Sequence, residues 1–368
     1  MNYDFIIIGA GIAGCSIAHH LHVRGKKVLL VDEIGIASHA SKAAGAFLSP
    51  LQGKINSYNS LVNTSLLYSL KFYESIDANL IVKKGLLKVA KNEKEYQQLK
   101  ESATHYLNIN QLQNISTNFH NIEGEYSENA AIVEPVKIAQ AMTKGIDTLF
   151  GISVKALTYS NDVYTIDSHT SKHIILSTGA HKALIECPYI DIIPAHGVRI
   201  EATSSTPIPF NIHRKFSLST QRHNGTIAIG ATNSKRLYKS DVEQADIESL
   251  LEEVKEYMKL EDLEIKEVYQ GARATIKSYF PVIGPLINSK ETLRAFPSIM
   301  KGTKIPEENL IYHPNITLFN AVGSRGFVFS PYLAKLLTEY LLDGIALPSE
   351  VQPLKLFYKY ARSEPNII

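Results

Sequence analysis

The sequence has no tryptophan, two cysteines and no long uninterrupted run of apolar residues. Cys15 and Cys187 could form one disulfide, but a chain of 368 residues does not need one to fold, so we expect two reduced thiols. No stretch approaches the ~20 apolar residues of a membrane helix. The apolar run Tyr3–Ala10 lacks the basic segment that opens a secretory signal. We therefore predict a cytoplasmic protein with no membrane partner.

An excess of charge of one sign is also missing. Lysine and arginine number 38 against 36 aspartate and glutamate residues, a formal net charge of +2. This balance does not by itself indicate a polyanionic partner. The sequence also has no CxxC pair, no phosphate-binding P-loop and no nucleophile elbow. The length favours two domains.

A strand–turn–helix–strand unit opens the chain. Asp4–Ile8 is predicted to be a buried parallel strand because it is short and rich in β-branched residues. The glycine motif Gly9–Gly14 follows, then a helix over Cys15–Arg24 and a second strand over Lys27–Val31 that leads into Asp32. This order within about 30 residues predicts a dinucleotide-binding βαβ unit.

The glycines and the acid each have a physical role in such a unit. Gly9 permits a tight turn, Gly11 lets the backbone approach a pyrophosphate, and Gly14 allows the helix to pack closely on the strand. The helix N-terminus offers free N–H groups and a positive dipole end to the phosphates. Asp32 is placed to accept ribose hydroxyls, which disfavours NADP, whereas the motif alone leaves FAD and NAD both open.

Three further stretches resemble the D-amino acid oxidase and glycine oxidase family of flavoproteins. They are the small-residue loop Ala40–Gly45, the strand-to-glycine turn Leu176–Ala180, and Gly271–Gly284. With the dinucleotide unit, they extend the resemblance over almost the whole chain. The last stretch is spaced like the family's segment that bears the substrate-carboxylate arginine, here Arg273. The resemblance implies FAD as the cofactor.

One subgroup of the family is similar in further stretches. Gly323–Phe327, Ser330–Ala334, Gly344–Pro348 and the basic aromatic segment Pro353–Arg362 resemble the C-terminal oxidase domain of bifunctional enzymes that modify the tRNA wobble uridine. That domain removes a carboxymethyl group from 5-carboxymethylaminomethyl uridine, so the resemblance implies modified tRNA as the substrate. Because Met1 already stands at the first strand, we expect a stand-alone oxidase whose methyltransferase, if any, is a separate partner.

Two positions depart from the family pattern. Ser278 stands where oxidases of this family commonly have an acidic residue, and the small polar residue expected near Ile276 is found at Thr275. These departures bear on the identity of the substrate and not on the flavin.

The resemblance also implies a set of FAD-binding residues. They are Gly9, Gly11, Ile12, Ala13, Gly14, Asp32, Glu33, Ser41, Lys42, Ala44, Gly45, Val154, Thr178, Gly179, Gly323, Ser324, Arg325, Gly326 and Phe327. Backbone N–H groups of Gly323–Phe327, with the N-terminus of a helix predicted to start at Pro331, are expected to stabilise negative charge at flavin N1 and C2=O.

Two arginines are predicted to act in the catalytic site. Arg273 is expected to hold a glycine-like carboxylate with paired hydrogen bonds and so aim the adjacent CH2 at flavin N5. The alternative is a structural or surface arginine. Arg325 adds a positive charge or a substrate contact, unless it faces a phosphate or solvent. Lys42 either lies over the flavin or caps a loop.

We expect no metal. His19, His20 and His22 share the first helix, but they point in different directions and no carboxylate or cysteine has a suitable spacing. They are interpreted as surface or packing residues. His196 and Arg199, on a predicted strand, are weaker candidates to line the substrate cavity.

The predicted fold class is mixed α/β, with a doubly wound Rossmann-like FAD-binding domain and an inserted antiparallel-sheet substrate domain. The glycine motifs lie near both ends of the chain, and sequence that alternates between apolar and polar residues lies between them. The expected FAD-binding domain comprises 1–80, 130–187 and 305–368. The expected substrate domain comprises 81–129 and 188–304, with the substrate held between the two domains.

The predicted function is FAD-dependent oxidation of a secondary amine that carries a carboxymethyl group, with the tRNA wobble uridine as the leading substrate. One alternative is an oxidase or dehydrogenase acting on free glycine, sarcosine or a D-amino acid. Another is a non-catalytic flavin-bound module that binds RNA. Basic and aromatic residues in Pro353–Arg362 suit phosphate and base contacts, or else the aromatic residues pack on the fold.

Overall fold

A computed structural model describes residues 1–53, 55–181, 184–233 and 242–363. The strands are β1 (Asn2–Ile8), β2 (Val28–Asp32), β3 (Phe47–Leu48), β4 (Ile81–Val82), β5 (Leu86–Val89), β6 (Tyr106–Leu107), β7 (Gly124–Ser127), β8 (Ala131–Val133), β9 (Asp147–Phe150), β10 (Thr158–Ser160), β11 (Val163–Ile166), β12 (His169–Leu176), β13 (Ile193–Thr203), β14 (Asn211–His213), β15 (Ser217–Leu218), β16 (Ile227–Gly230), β17 (Glu264–Thr275), β18 (Val282–Ile287) and β19 (Tyr312–Asn320). The α-helices are α1 (Ile12–Val23), α2 (Ser57–Ile76), α3 (Glu93–Ser102), α4 (Ile109–Ile115), α5 (Pro135–Met142), α6 (Gln244–Tyr257), α7 (Ser289–Ala295), α8 (Gly326–Asp343) and α9 (Pro353–Ser363). Short 3-10 helices cover Ala78–Leu80, Pro297–Lys301, Glu307–Asn309, Gly323–Arg325 and Ser349–Val351.

The first sheet contains the glycine motif's strand at its centre. Its order is β10-β11-β12-β1-β2-β9, and β19 also pairs with β12 and carries β18 on its other side. Strands β9, β2, β1, β12 and β19 are parallel. Ile8 lies opposite both Val31 and Leu176, so the carboxyl ends of β1, β2 and β12 meet at one edge. In open α/β sheets, ligands bind beside this edge.

The second sheet is largely antiparallel, in the order β17-β13-β16-β15-β14-β5-β7-β6. Side chains alternate between the two faces of a strand. On β13, Val198 and Ile200 are fully or almost fully buried and join the core cluster that includes Val254 of α6. The opposite face carries Arg199 and Glu201, and Arg199 contacts the loop that contains Lys42. A small third sheet has the order β3-β8-β4.

The mixed α/β class is confirmed, and the opening βαβ unit forms as predicted. The limits of the two domains stay a prediction. Within them, β18 belongs to the range 188–304 expected in the substrate domain, yet it pairs with β19 in the first sheet. The polar stretch Asn108–Glu128 contains α4 and β7, and Asn108 and Gln111 form a reciprocal capping box at the start of α4.

The final long helix begins earlier than predicted. It starts at Gly326 rather than at Pro331, and Pro331 lies inside it. Proline has no N–H, so the carbonyl of Phe327 loses its usual helical partner. The buried Tyr73 hydroxyl donates to that carbonyl at 2.9 Å, which replaces the missing bond. The helix N-terminus is therefore next to the glycine turn itself.

The basic aromatic segment near the C-terminus forms α9. Phe357 is fully buried, and Tyr358 Oη exchanges hydrogen bonds with the backbone of Ile305. Phe357 is thus a packing residue, and the idea that it stacks on a base is wrong. Lys355 and Lys359 are exposed. Within the described ranges, none of the helices is both long enough and apolar enough to cross a membrane.

Candidate active site

The glycine motif forms a tight turn from β1 into α1. Gly9 has φ +105°, a conformation open mainly to glycine, and a Cβ there would strike the Ser177 carbonyl. A Cβ on Gly14 would strike the Gly9 carbonyl oxygen. These contacts are the close helix–strand approach expected of the motif, and Ala13 and Gly14 are accordingly buried at the start of α1.

The N-terminus of α1 is available to an anion. The helix begins at Ile12 and has no acidic residue in its first turn. The Ile12 N–H donates to Ser41 Oγ at 2.9 Å, and a Cβ on Gly11 would lie only 3.3 Å from the same oxygen. Ser41, from the small-residue loop, therefore lies at the helix end where phosphate is expected.

The Asp32 carboxylate accepts backbone hydrogen bonds from the turns that follow β1 and β2. Its Oδ2 accepts the Ala10 N–H at 2.8 Å, and its Oδ1 accepts the N–H groups of Ile34 and Gly35 at 2.9 Å each. The predicted ribose contact would use the carboxylate's remaining acceptor capacity. The Ile152 N–H donates a hydrogen bond to the Asp32 carbonyl. Val154, two residues later, packs against the core beneath this edge of the sheet.

Glu33, beside Asp32, is part of an exposed trio. Its Oε1 lies 3.5 Å from His39 Nε2 and 3.8 Å from His181 Nδ1. Among the described residues, these three are the grouping whose ligand atoms are close enough to hold a metal ion, within 4.8 Å of one another. All three are exposed. The sequence patterns did not indicate this trio, because its members are far apart in the chain.

The turn after β12 closes onto the same edge. Gly179 has φ +59°, and its carbonyl accepts Asn320 Nδ2 at 3.0 Å. Thr178 and Gly179 thus lie between the end of β12 and the end of β19. The Ser177 hydroxyl oxygen is buried without a partner in the part of the chain that the structure describes. This leaves a polar atom beside the Gly9 turn for a bound group.

The small-residue loop lies against the second sheet. A Cβ on Gly271 of β17 would be 2.8 Å from the Ala40 Cα and 3.0 Å from the Ala43 Cβ. Arg199 Nη2 donates to the Lys42 carbonyl at 3.3 Å, and Arg222 Nη2 donates to the Gly45 carbonyl at 3.4 Å. The loop is therefore fixed at Lys42 and at Gly45 by arginines from the second sheet.

Arg199 and Arg222 share one carboxylate. Glu201 Oε2 accepts Arg199 Nη1 at 2.9 Å and Arg222 Nη1 at 3.0 Å, and each arginine side chain is only 2% exposed. Burial and the neighbouring Arg199 lower the pKa of Arg222 to about 10. Burial would raise the pKa of Glu201, but its pairing with the two arginines lowers it overall. This cluster carries a net positive charge behind the loop.

Sequence reasoning identified only part of this cluster. Arg199 was a predicted candidate. Glu201 could have been predicted as its partner, because residues two positions apart on a strand share a face. Arg222 gave no signal. His196 was grouped with Arg199, but residues three apart on a strand point to opposite faces, so His196 does not share the face that packs on the loop. That grouping is wrong.

Lys42 lies beside an aromatic ring. Its Nζ is 5.5 Å from the ring centroid of Tyr269, and the Arg199 guanidinium carbon is 4.4 Å from the same centroid. Two cations near one ring make this corner of the loop strongly positive. The Lys42 side chain is directed to β17, and Ala44 and Gly45 continue the loop toward β3.

Arg273 is on the face of β17 that meets the loop. Tyr269, Gly271, Arg273 and Thr275 alternate along this face. Both Nη atoms of Arg273 donate to the Thr232 carbonyl at 3.2 Å. A Cβ on Gly197 of β13 would strike the guanidinium, so this glycine leaves the space in which Arg273 lies. Burial lowers the pKa of Arg273.

The second glycine turn meets the far end of the same face. Gly323 has φ +57°, and a Cβ there would lie 3.5 Å from Thr275 Cγ2. Gly326 approaches the first helix, where a Cβ would be 3.2 Å from Ile12 Cγ2. Ser324 is exposed and Phe327 is buried. Arg273 therefore lies on a strand whose one face runs from the small-residue loop to the second glycine turn.

Arg325 is anchored rather than free. Its Nη1 donates to the Ser49 carbonyl at 2.8 Å. Burial lowers its pKa, while the nearby Tyr58 hydroxyl raises it. Tyr58 in turn has its pKa raised by burial and lowered by Arg325. Arg325 thus adds a partly buried positive charge next to Gly323.

The residues present fit an FAD molecule. Gly9 and Gly14 let α1 approach the end of β1 closely, the Ile12 N–H at the α1 N-terminus faces the Ser41 hydroxyl, and Ser177 Oγ is buried with no partner among the described residues. Arginines and a helix N-terminus surround the other end, at Gly323. The positive surroundings suit a cofactor with two phosphates and a ring that becomes negative on reduction.

Comparisons with known proteins agree with this arrangement. The sequence model of the DAO family, described as FAD dependent oxidoreductase, matches residues 4–340. Curated relatives named tRNA 5-methylaminomethyl-2-thiouridine biosynthesis bifunctional protein MnmC include one from Legionella pneumophila (strain Corby), 23% identical over 95% of this chain and 55% of its own length. Another, from Leptospira interrogans, is 24% identical over 97% of this chain and 61% of its own length. The chain spans little more than half of these relatives.

Solved structures share the fold. Glycine oxidase from Bacillus cereus superposes with a TM-score of 0.77 at 19% identity, covering 94% of this chain and 96% of that one. Iminodiacetate oxidase (IdaA) from Chelativorans sp. BNC1 gives a TM-score of 0.76 at 16% identity, covering 95% and 99%. The family match extends over most of the chain. The chain therefore belongs to the DAO family of FAD-dependent oxidoreductases, as its sequence predicted, and FAD is its cofactor.

Proposed function

We propose that this chain oxidises the secondary amine of a 5-carboxymethylaminomethyl uridine at the tRNA wobble position and so removes the carboxymethyl group. The observation that carries the proposal is the placement of Arg273. It lies on the face of β17 that meets the small-residue loop at Gly271 and the Gly323 turn at Thr275, and both of its described hydrogen bonds go to one carbonyl. Support for tRNA comes from the relatives, whose name states a tRNA biosynthesis role.

The chemistry requires the carboxylate and the reacting carbon to be held together. Bound FAD supplies the acceptor of a hydride from the CH2 between nitrogen and carboxylate. Loss of that hydride and of the N–H proton leaves a C=N bond, and addition of water then releases the unsubstituted amine and an aldehyde acid. The guanidinium of Arg273 would bind the carboxylate with paired hydrogen bonds and fix the CH2 position.

The FAD contacts remain part of the proposal. The Gly9–Gly14 turn and Ser41 would hold the pyrophosphate, and Asp32 the ribose. Thr178 and Gly179 would line the edge between these groups. The Gly323–Phe327 turn would hold the pyrimidine end of the flavin, where the N-terminus of α8 and Arg325 favour negative charge. We place the substrate between the two sheets, in a protein that acts in the cytoplasm.

A free small amine is the second candidate. The solved structures with the same fold include a glycine oxidase and an iminodiacetate oxidase. Glycine, iminodiacetate and the modified uridine all contain a nitrogen-linked carboxymethyl unit, so Arg273 would bind each of them alike. What separates the candidates is whether the rest of the site accepts a nucleoside.

Anaerobic flavin bleaching decides between the candidates. The purified yellow protein is mixed with tRNA bearing 5-carboxymethylaminomethyl uridine and, separately, with glycine, sarcosine and D-alanine. We expect bleaching by the tRNA. Bleaching by a free amino acid with none by the tRNA would contradict the tRNA proposal and support the small-amine candidate.

Arg273 is tested in the same assay. Arg273→Gln is expected to slow bleaching by about a hundredfold or more, because a paired charge-assisted interaction contributes several kcal/mol. Flavin content should be unchanged. Arg294→Gln is the matched control, since Arg294 is exposed and pairs with Glu291. Wild-type rates in Arg273→Gln would show that this arginine does not hold the substrate.

A further inference from the structure

The connection between β17 and β18, residues 276–281, begins just beyond Arg273 on the strand that carries it. Thr275, the last residue of β17, lies beside Gly323. Ile276 is buried, Lys277 to Tyr279 are exposed, and the chain re-enters the first sheet at Val282 opposite Asn320. The exposed residues of this connection therefore lie between the end of β17 in the second sheet and the start of β18 in the first sheet.

Tyr279 is an unusual residue for its place in this connection. Its φ is +61°, a left-handed conformation that glycine and asparagine adopt readily and bulky residues rarely do. Its N–H closes a turn on the Ile276 carbonyl at 3.0 Å. Its side chain is 63% exposed, so packing does not explain the ring. The turn would form more easily with glycine, which indicates that the tyrosine ring has another use.

Two further aromatic residues stand next to Tyr279. The rings of Tyr58 and Phe280 meet edge to face with centroids 5.2 Å apart. Burial raises the pKa of the Tyr58 hydroxyl, nearby Arg325 lowers it and nearby Tyr279 raises it, so both residues lie close to Tyr58. We call Tyr58, Tyr279 and Phe280 the aromatic rim. The aromatic rim thus extends from the exposed ring of Tyr279 to Tyr58, which lies near Arg325 beside the Gly323 turn.

We propose that Tyr279 stacks on the pyrimidine base of the substrate and makes the site specific for a nucleoside. The inference rests on the proposed function. With the carboxylate on Arg273, the short amine arm would leave its base beyond the Thr275 end of β17, where the aromatic rim begins. An exposed aromatic face binds a base by stacking, and a free amino acid such as glycine has no ring to bind there.

The test compares Tyr279→Gly and Tyr279→Phe with the wild type, each as the FAD-loaded full chain. The substrate is an anticodon stem-loop RNA that carries 5-carboxymethylaminomethyl uridine. Tyr279→Gly should raise the RNA concentration for half-maximal bleaching at least about fivefold, the lower end of one lost base-stacking contact. Tyr279→Phe keeps the ring and should match the wild type. Glycine suits the positive φ, so the first variant should fold normally.

A small ligand separates base recognition from general damage. Sarcosine, as a substrate or as a competitor of the RNA, should act equally on the wild type and on Tyr279→Gly because it reaches only the Arg273 end. Tyr159→Ala removes another exposed tyrosine, 41% exposed on β10, and should change nothing.

The outcomes distinguish this inference from the function on which it rests. Bleaching of the wild type by RNA, with unchanged half-saturation in Tyr279→Gly, overturns the role of Tyr279 and leaves the function standing. Equal weakening toward RNA and sarcosine also overturns it, because the ring then does not recognise a base. No bleaching of the wild type by RNA overturns the proposed function, and the inference with it.

Discussion

At the scale of single residues, the unusual feature is two buried arginines that share one carboxylate. Arg199 and Arg222 both donate to Glu201 Oε2 and then to carbonyls of the small-residue loop. Their Nε atoms are buried without a partner in the described part of the chain. A buried charge is tolerated when it is paired, so the position of the loop depends on Glu201.

Removing the Glu201 charge should destabilise the protein. Glu201→Gln removes the carboxylate that both buried guanidiniums share, and we expect the free energy of unfolding to fall by about 3 kcal/mol. Urea denaturation of the FAD-loaded protein measures this change. Glu264→Gln is the control, because Glu264 is 67% exposed in its pair with Lys266. Equal stability of the two variants would contradict the prediction.

The same carboxylate gives a pH dependence with a definite sign. The pKa of folded Glu201 lies below its ordinary value of 4.5, so the folded state releases its proton more readily than the unfolded state. Its contribution to stability is therefore complete above about pH 4.5 and is lost as the pH falls through the lowered pKa. The stability difference between wild type and Glu201→Gln should shrink below that pH. A difference that stays constant down to pH 3.5 would contradict this assignment.

At the scale of elements, the sequence pattern predicted the wrong first residue for α8, the helix that contains Pro331. The sequence suggested a helix that starts at Pro331, because proline is common at the first helical position. The helix instead starts at Gly326, since Tyr73 from α2 binds the Phe327 carbonyl that Pro331 leaves unpaired. A partner 254 residues away in the chain thus decides where the helix begins.

Tyr73→Phe tests this account. The substitution leaves the buried Phe327 carbonyl without a donor, and we expect a loss of about 1–2 kcal/mol in the free energy of unfolding. Because this carbonyl is next to the Gly323 turn, FAD should also dissociate more readily. Tyr159→Phe removes an exposed hydroxyl and serves as the control. Unchanged stability of Tyr73→Phe would show that the helix does not need this bond.

At the scale of the whole molecule, the residues that we propose bind FAD come from distant parts of the chain. The first glycine turn, the loop from Ala40 to Gly45, the arginines of the second sheet and the Gly323 turn meet in one place. Bound FAD would connect all of these segments, and a ligand that binds only the folded state stabilises it. We therefore expect the melting temperature of the protein to depend strongly on bound FAD.

Removal of FAD should lower the melting temperature by several degrees or more. With free FAD at about 1,000 times its Kd, the stabilisation is about 4 kcal/mol. Thermal melts of the loaded protein, of the protein stripped of flavin and of the stripped protein with FAD added back provide the comparison. Identical melting temperatures for the first two samples would contradict a cofactor that joins these segments.

The sequence by itself determined the opening βαβ unit, the mixed α/β class and the family. The reason is local: Gly9, Gly14 and the β-branched strand that precedes them are close together in the chain, and backbone geometry restricts such a turn to glycine. Arg273 could be selected because its spacing from Gly284 resembles the family pattern. Its role in binding substrate is still a prediction.

The tertiary structure decided which distant groups meet. Arg222 had no sequence signal, and its contact with the Gly45 carbonyl depends on packing of the second sheet against the loop. The pairing of β18 with the first sheet, and the burial of Phe357 in α9, likewise depend on surfaces contributed by other segments. Local propensity cannot report such contacts, because their free energy arises only when the two surfaces exclude water from each other.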